Sequence, residues 1–102
     1  MSVKNIDKLN VAYKVVIYES RLEKKFALLK DNFSKDVWDR LLDFLSNTPE
    51  QGKKEMQFRK YDLPNANRIL YKVLNRQIVR IVCAGNHDDY EKYLKKYGKK
   101  EN

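Results

Sequence analysis

Apolar positions change their period along this chain, and each change marks an element. Val11–Tyr18, VAYKVVIY, is dense in β-branched and aromatic residues, which predicts a strand. From Ser20 to about Asp31 the apolar residues Leu22, Phe26 and Leu29 share one helical face. Ser20-Arg21-Leu22-Glu23 has the S-x-x-E form of a capping box and would open that helix. Ser34 can cap a second helix starting at Lys35, with Phe33 before the cap and Trp38 inside it as a hydrophobic staple. Val37, Leu41, Leu42 and Leu45 continue its stripe until Thr48-Pro49, where proline ends helical geometry. The short link between the two helices predicts an antiparallel hairpin.

The second half reads as sheet. Glu50–Glu55 is a polar, cationic connector. Met56–Asp62 alternates Met56, Phe58 and Lys60 against Gln57, Arg59 and Tyr61, which suits a strand. Leu63–Asn67, LPNAN, has turn chemistry. Arg68–Leu74 and Gln77–Ala84 are the clearest strands, joined by a tight turn at Asn75–Arg76. In the first of them Ile69, Tyr71 and Val73 share a face, and Arg68, Leu70 and Lys72 share the other. Asp88 to Tyr97 predicts a closing helix, with Gly98 as its stop. The order β-α-α-β-β-β-α is an α+β arrangement with four strands. It forms a single domain over residues 1–102, in which residues 1–10 are a polar N-terminal extension.

Charge narrows the set of partners. The chain carries 22 Lys and Arg against 14 Asp and Glu, a net charge of +8. Such an excess attracts polyanions: nucleic acid, an acidic protein or an anionic surface. The one cysteine, Cys83, sits in an apolar run and reads as a buried small hydrophobe, so no internal disulfide is expected. No Cys/His ligand set suggests a structural zinc, and no cofactor or metal is expected. No run approaches a membrane span, and the N-terminus lacks the apolar core of a signal peptide, so the expected setting is cytoplasmic.

The candidate chemistry lies in Arg68–Tyr93, RILYKVLNRQIVRIVCAGNHDDYEKY. Arg68 opens one strand, and His87 follows the next strand just past Gly85, so the two can meet at one end of a sheet. Arginine, histidine and tyrosine at one mouth of a basic protein suggest a phosphate-handling site. Each residue has a plainer reading. His87 can pair with Asp88 or Asp89. Arg68 can be a strand arginine held by an acid. Arg80, mid-strand among apolar neighbours, suits a structural ion pair. Tyr90, Tyr93, Leu94 and Tyr97 have the spacing of a helical core face. Lys95, Lys96, Lys99 and Lys100 read as a solvated tail that attracts RNA nonspecifically.

This element order, and above all RILYKVLNRQIVRIVCAGNH, resembles the RelE/ParE superfamily of bacterial toxins over roughly Ala12–Tyr97. The resemblance implies a helical hairpin packed on a small, twisted, mostly antiparallel sheet. It also implies a toxin of a toxin–antitoxin pair. RelE-type members are endoribonucleases (mRNA interferases) that cleave mRNA on the ribosome and so inhibit translation. ParE-type members are non-enzymatic inhibitors of DNA gyrase. Both are held inactive by a small antitoxin, here expected to be acidic.

Position by position, Arg68 matches the arginine that contacts the scissile phosphate, and His87 a position held by arginine or histidine. Tyr93 matches the tyrosine of the C-terminal segment, and Glu55 resembles the glutamate base of another nuclease branch. Arg59 and Lys60 are the nearest counterparts of two lysines of the RelE strand. With Lys53, Lys54, Lys72 and Tyr90 they make up the expected RNA-contacting set. Metal-free cleavage by a ribose 2′-hydroxyl needs a base, an acid and a cation on the phosphorane. Guanidinium suits the last role and imidazole the proton transfers.

Overall fold

The computed structural model describes residues 12–75 and 77–98. Strand β1 (Lys14–Val16) is followed by helices α1 (Ser20–Lys30) and α2 (Lys35–Asn47) and a short 3-10 turn (Pro49–Gln51). Then come β2 (Lys53–Glu55), β3 (Phe58–Leu63), β4 (Asn67–Asn75), β5 (Ile78–Gly85) and α3 (His87–Tyr97). The five strands form one sheet in the order β1-β5-β4-β3-β2. β1 runs parallel to β5, and the other neighbours are antiparallel.

The α+β class holds, but the sheet has five strands instead of the expected four. The tail of the polar connector, Lys53–Glu55, pairs with β3 through Lys53↔Lys60 and Glu55↔Phe58. Main-chain bonds make this edge strand, which is why its charged side chains did not announce it. β1 is shorter than Val11–Tyr18. Val11, the extension 1–10 and Arg76 lie outside the described residues. β4 runs on through Asn75, which pairs with Ile78, so the turn falls after Asn75. There the Gln77 amide donates to Asn75 Oδ1 at 2.7 Å.

Helix starts follow side-chain chemistry. Ser34 Oγ accepts from the Val37 amide at 3.2 Å, and the Phe33 and Trp38 rings stack at 6.3 Å, so the cap and staple form. The Ser20 capping box does not form. α1 starts one residue earlier, with Glu19 as a cap that makes no side-chain capping bond, and the Glu19 carboxylate pairs with Arg80 instead. Leu42, expected in the stripe of α2, keeps 36% of its surface exposed, while Trp38, Leu41 and Leu45 are buried.

The sheet has two unlike faces. The α1–α2 hairpin, joined by Phe26 on Trp38 at 4.8 Å, covers Ile69, Tyr71, Val79, Ile81 and Ala84. Each fully buried side chain there contributes about 1.5–3 kcal/mol of transfer free energy. The other face carries a smaller cluster of Phe58, Leu70, Val82 and Cys83 under Tyr90 and Leu94 of α3. The β4–β5 register steps from Leu70↔Cys83 to Tyr71↔Ile81, leaving Val82 as an extra residue. This bulge lets the adjacent Val82 and Cys83 both join the α3 cluster.

Both ends of α3 are fixed. Asn86 and Asp89 form a reciprocal capping box, with Asp89 N to Asn86 Oδ1 at 3.0 Å and Asn86 N to Asp89 Oδ2 at 3.3 Å. Lys25 Nζ of α1 lies 2.9 Å from the same Asp89 Oδ2. That bond, more than any other cause, holds the Asp89 carboxyl below its ordinary value. Gly85, at φ +155°, enters this corner where a Cβ would strike the Asp89 side chain. At the far end Gln57 Nε2 donates to the Tyr97 carbonyl at 3.0 Å. Among the described residues no helix is long and apolar enough to cross a membrane.

Candidate functional site

The register sets the site. Arg68 is flanked by Asp62 on β3 and Gly85 on β5, so it stands where β5 gives way to α3. His87 is the first residue of that helix, and Tyr90 lies one turn further along. The Tyr90 ring is the hub. The Arg68 guanidinium carbon lies 4.6 Å from its centroid, Lys60 Nζ 5.8 Å, and the His87 ring centre 6.4 Å.

The Tyr90 phenol is in an unusual state. The residue is only 2% exposed, and its buried hydroxyl lies within interaction range of Glu55 and Arg68. Burial pushes its pKa up to about 12, and the nearby Glu55 carboxylate adds to the rise while Arg68 opposes it. Around it lie three side-chain pairs of differing length. Lys60 Nζ is 3.9 Å from Glu55 Oε1, Arg68 Nε 3.2 Å from Asp62 Oδ1, and His87 Nε2 3.6 Å from Glu91 Oε2. The Asp62 side chain is 63% exposed, so it can yield Arg68 to an incoming anion. A phosphate here would meet a guanidinium, an ammonium and an imidazole beside a protonated phenol.

The residues read from the sequence divide over the molecule. Arg68, His87, Glu55, Lys60 and Tyr90 come together. Lys53 shares their side through its pairing with Lys60, and Lys72 lies on the same face, 5.5 Å from the Phe58 ring. Tyr93 does not join Arg68 and His87. Its ring packs on Phe58 at 5.5 Å and on Tyr97 at 4.5 Å, and its hydroxyl is raised chiefly by burial. Tyr90, three residues earlier on the helix, takes the place expected of Tyr93. Lys54 and Arg59 pair with each other and, through Arg59↔Tyr71, belong to the hairpin face. Arg59 Nη1 donates to the Gly52 carbonyl at 2.8 Å, and Lys54 and Arg59 line a 490 Å³ notch with Glu50 and Tyr71. Strand alternation puts them there, away from Arg68.

The plainer readings fare unevenly. Arg80 does pair with Glu19, under the Tyr18 ring. His87 pairs with Glu91, because Asp89 is taken by the cap and by Lys25. Cys83 is buried, and burial pushes its thiol up to about 11, so it is not a ready thiolate. Among the described residues no group of three or more His, Cys, Asp and Glu is placed to hold a metal. Sequence reasoning missed the strut from Lys25 to Asp89, whose partners lie far apart in the chain. The Asn86-x-x-Asp89 pattern did carry a legible capping signal. No family model matches this chain, no curated protein matches it, and no solved structure matches it.

Proposed function

We propose that this protein is a RelE-like toxin that cleaves mRNA as an endoribonuclease, with Arg68, His87 and Glu55 as its working groups. The observation that carries the reading is the convergence of Arg68 and His87 on the Tyr90 ring, with Glu55 beside the same phenol. A helical hairpin on a mostly antiparallel sheet, and a net charge of +8, support it. In this reading a ribose 2′-hydroxyl attacks its own 3′-phosphate. The 2′-oxygen–phosphorus bond forms and the phosphorus–5′-oxygen bond breaks. Glu55 takes the 2′-proton, and His87 supplies a proton to the leaving 5′-oxygen. Arg68 exchanges Asp62 for the phosphate and balances the charge that gathers on it. Tyr90 stays protonated and serves as a donor. The partner is an acidic antitoxin that covers this cationic mouth.

The test is translation in a cell-free extract followed by primer extension on the message. New 5′ ends are expected with the intact chain and none with Arg68→Ala or His87→Gln. An intact message at inhibitory protein concentrations overturns the reading. If such a chain also blocks DNA supercoiling, it belongs with the gyrase inhibitors.

A further inference from the structure

Beside α3, a 270 Å³ groove not lined by Arg68, Lys60 or Tyr90 runs over Val82, Cys83 and Ala84. α1 contributes Leu22 and Lys25 to it, and α3 contributes Asp89, Lys92, Tyr93, Lys96 and Tyr97. We infer that this groove is a second binding site for single-stranded RNA, accepting phosphates on Lys92 and Lys96 and bases on Tyr93 and Tyr97.

The helix sets two stripes side by side. Lys92 and Lys96 are four residues apart, as are Tyr93 and Tyr97, so an ammonium stripe adjoins an aromatic one. Lys25 is taken by Asp89, but Lys92 and Lys96 make no ion pair among the described residues. Lys96 Nζ lies 5.4 Å from the Tyr97 ring centre, and the Tyr93 and Tyr97 rings meet at 4.5 Å. Both tyrosines are half-buried, so each ring is held by packing while part of it stays open. Cations outside any close ion pair, beside held aromatic rings, fit a polyanion with flat rings, since stacking tolerates any base and the cations track the backbone. A carboxylate-rich protein would satisfy the lysines and leave the rings unused. The choice of RNA rests on the function proposed above, with the groove holding the strand outside the cleavage site.

The test uses the full chain and a fluorescein-labelled 2′-O-methyl oligouridine 12-mer, which cannot be cleaved by its own 2′-oxygen, followed by fluorescence anisotropy. The double variant Lys92→Glu/Lys96→Glu is expected to weaken binding at least tenfold. It should also flatten the salt dependence by about 1.4 in log–log slope, at roughly 0.7 per lost phosphate contact. Lys24→Glu/Lys30→Glu, on exposed positions of α1, makes the same change in net charge and should alter binding less than threefold. Tyr97→Leu should weaken binding at least fivefold, and Tyr97→Trp should restore it. The groove is refuted if both double variants weaken binding alike, if Tyr97→Leu has no effect, or if polyglutamate displaces the probe as well as unlabelled oligouridine does. The two proposals can fail separately. Loss of binding in the groove variant of a chain that never cuts a message leaves the groove standing and removes the nuclease. Cleavage by a chain whose groove variants bind normally does the reverse.

Discussion

Tyr71 and Tyr90 are both buried phenols on this small sheet, each with its pKa raised to about 12 chiefly by burial, yet they occupy opposite faces and different circumstances. Tyr71 lies under the helical hairpin and donates to the Pro49 carbonyl at 2.6 Å, so its hydroxyl is satisfied. Tyr90 belongs to α3, packs its ring onto the other face of the sheet, and is ringed by Arg68, Lys60, Glu55 and His87. Folding alone accounts for the first arrangement. The second sets a buried phenol beside Glu55 and Arg68, side chains that also carry ion pairs of their own. The hairpin face holds the larger apolar cluster, and the α3 face a smaller one with charged groups at its end.

That contrast can be broken at several points. The largest effect is expected at Leu41, fully buried on the hairpin face. Leu41→Ala should lower unfolding free energy by about 2–5 kcal/mol in a denaturant titration. Arg68→Ala should reverse the pattern. Its side chain is partly exposed, pairs with the exposed Asp62 and lies on the Tyr90 ring, so stability should fall by no more than about 1 kcal/mol, while cleavage falls about 10²–10³-fold in a primer-extension time course. Tyr71→Phe leaves the Pro49 carbonyl without its donor and should cost about 1–3 kcal/mol, with cleavage unchanged.

The smallest effect concerns acid. Asp89 binds its proton less tightly in the folded chain than in the unfolded one, because Lys25 and the Asn86 amide prefer the carboxylate. The stability it contributes is fully present above its ordinary value of 3.8 and is lost as pH falls through the lowered folded value. Asp89→Asn should flatten the pH dependence of the melting temperature in that window. Because the carboxylate is part-exposed, the change should stay below about 1 kcal/mol.

The same contrast explains what could be read from the sequence. The hairpin face was legible because its signals are local. Ser34 caps, Phe33 staples, and Ile69, Tyr71 and Val73 alternate as a strand should. The α3 face was legible only in outline. Arg68 and His87 could be brought to one end of the sheet, since a hairpin register and a short exit fix them. Which tyrosine would meet them could not, because Tyr90 and Tyr93 both fit the helical face and only the crossing of α3 decides. Lys53–Glu55 gave no sign of a strand, since its pairing is made by main chain rather than side chains. The bulge at Val82 broke the alternation that would have placed Cys83 on the other face.

The most direct measurement is Tyr90→Phe, assayed in one preparation for unfolding free energy and for message cleavage. Removing a hydroxyl whose neighbours are the Glu55 and Arg68 side chains rather than a main-chain acceptor should leave stability close to that of the parent chain, while cleavage drops by tenfold or more. A loss of stability like that of Tyr71→Phe, with cleavage intact, would contradict the assignment of the α3 face as the working side of this protein.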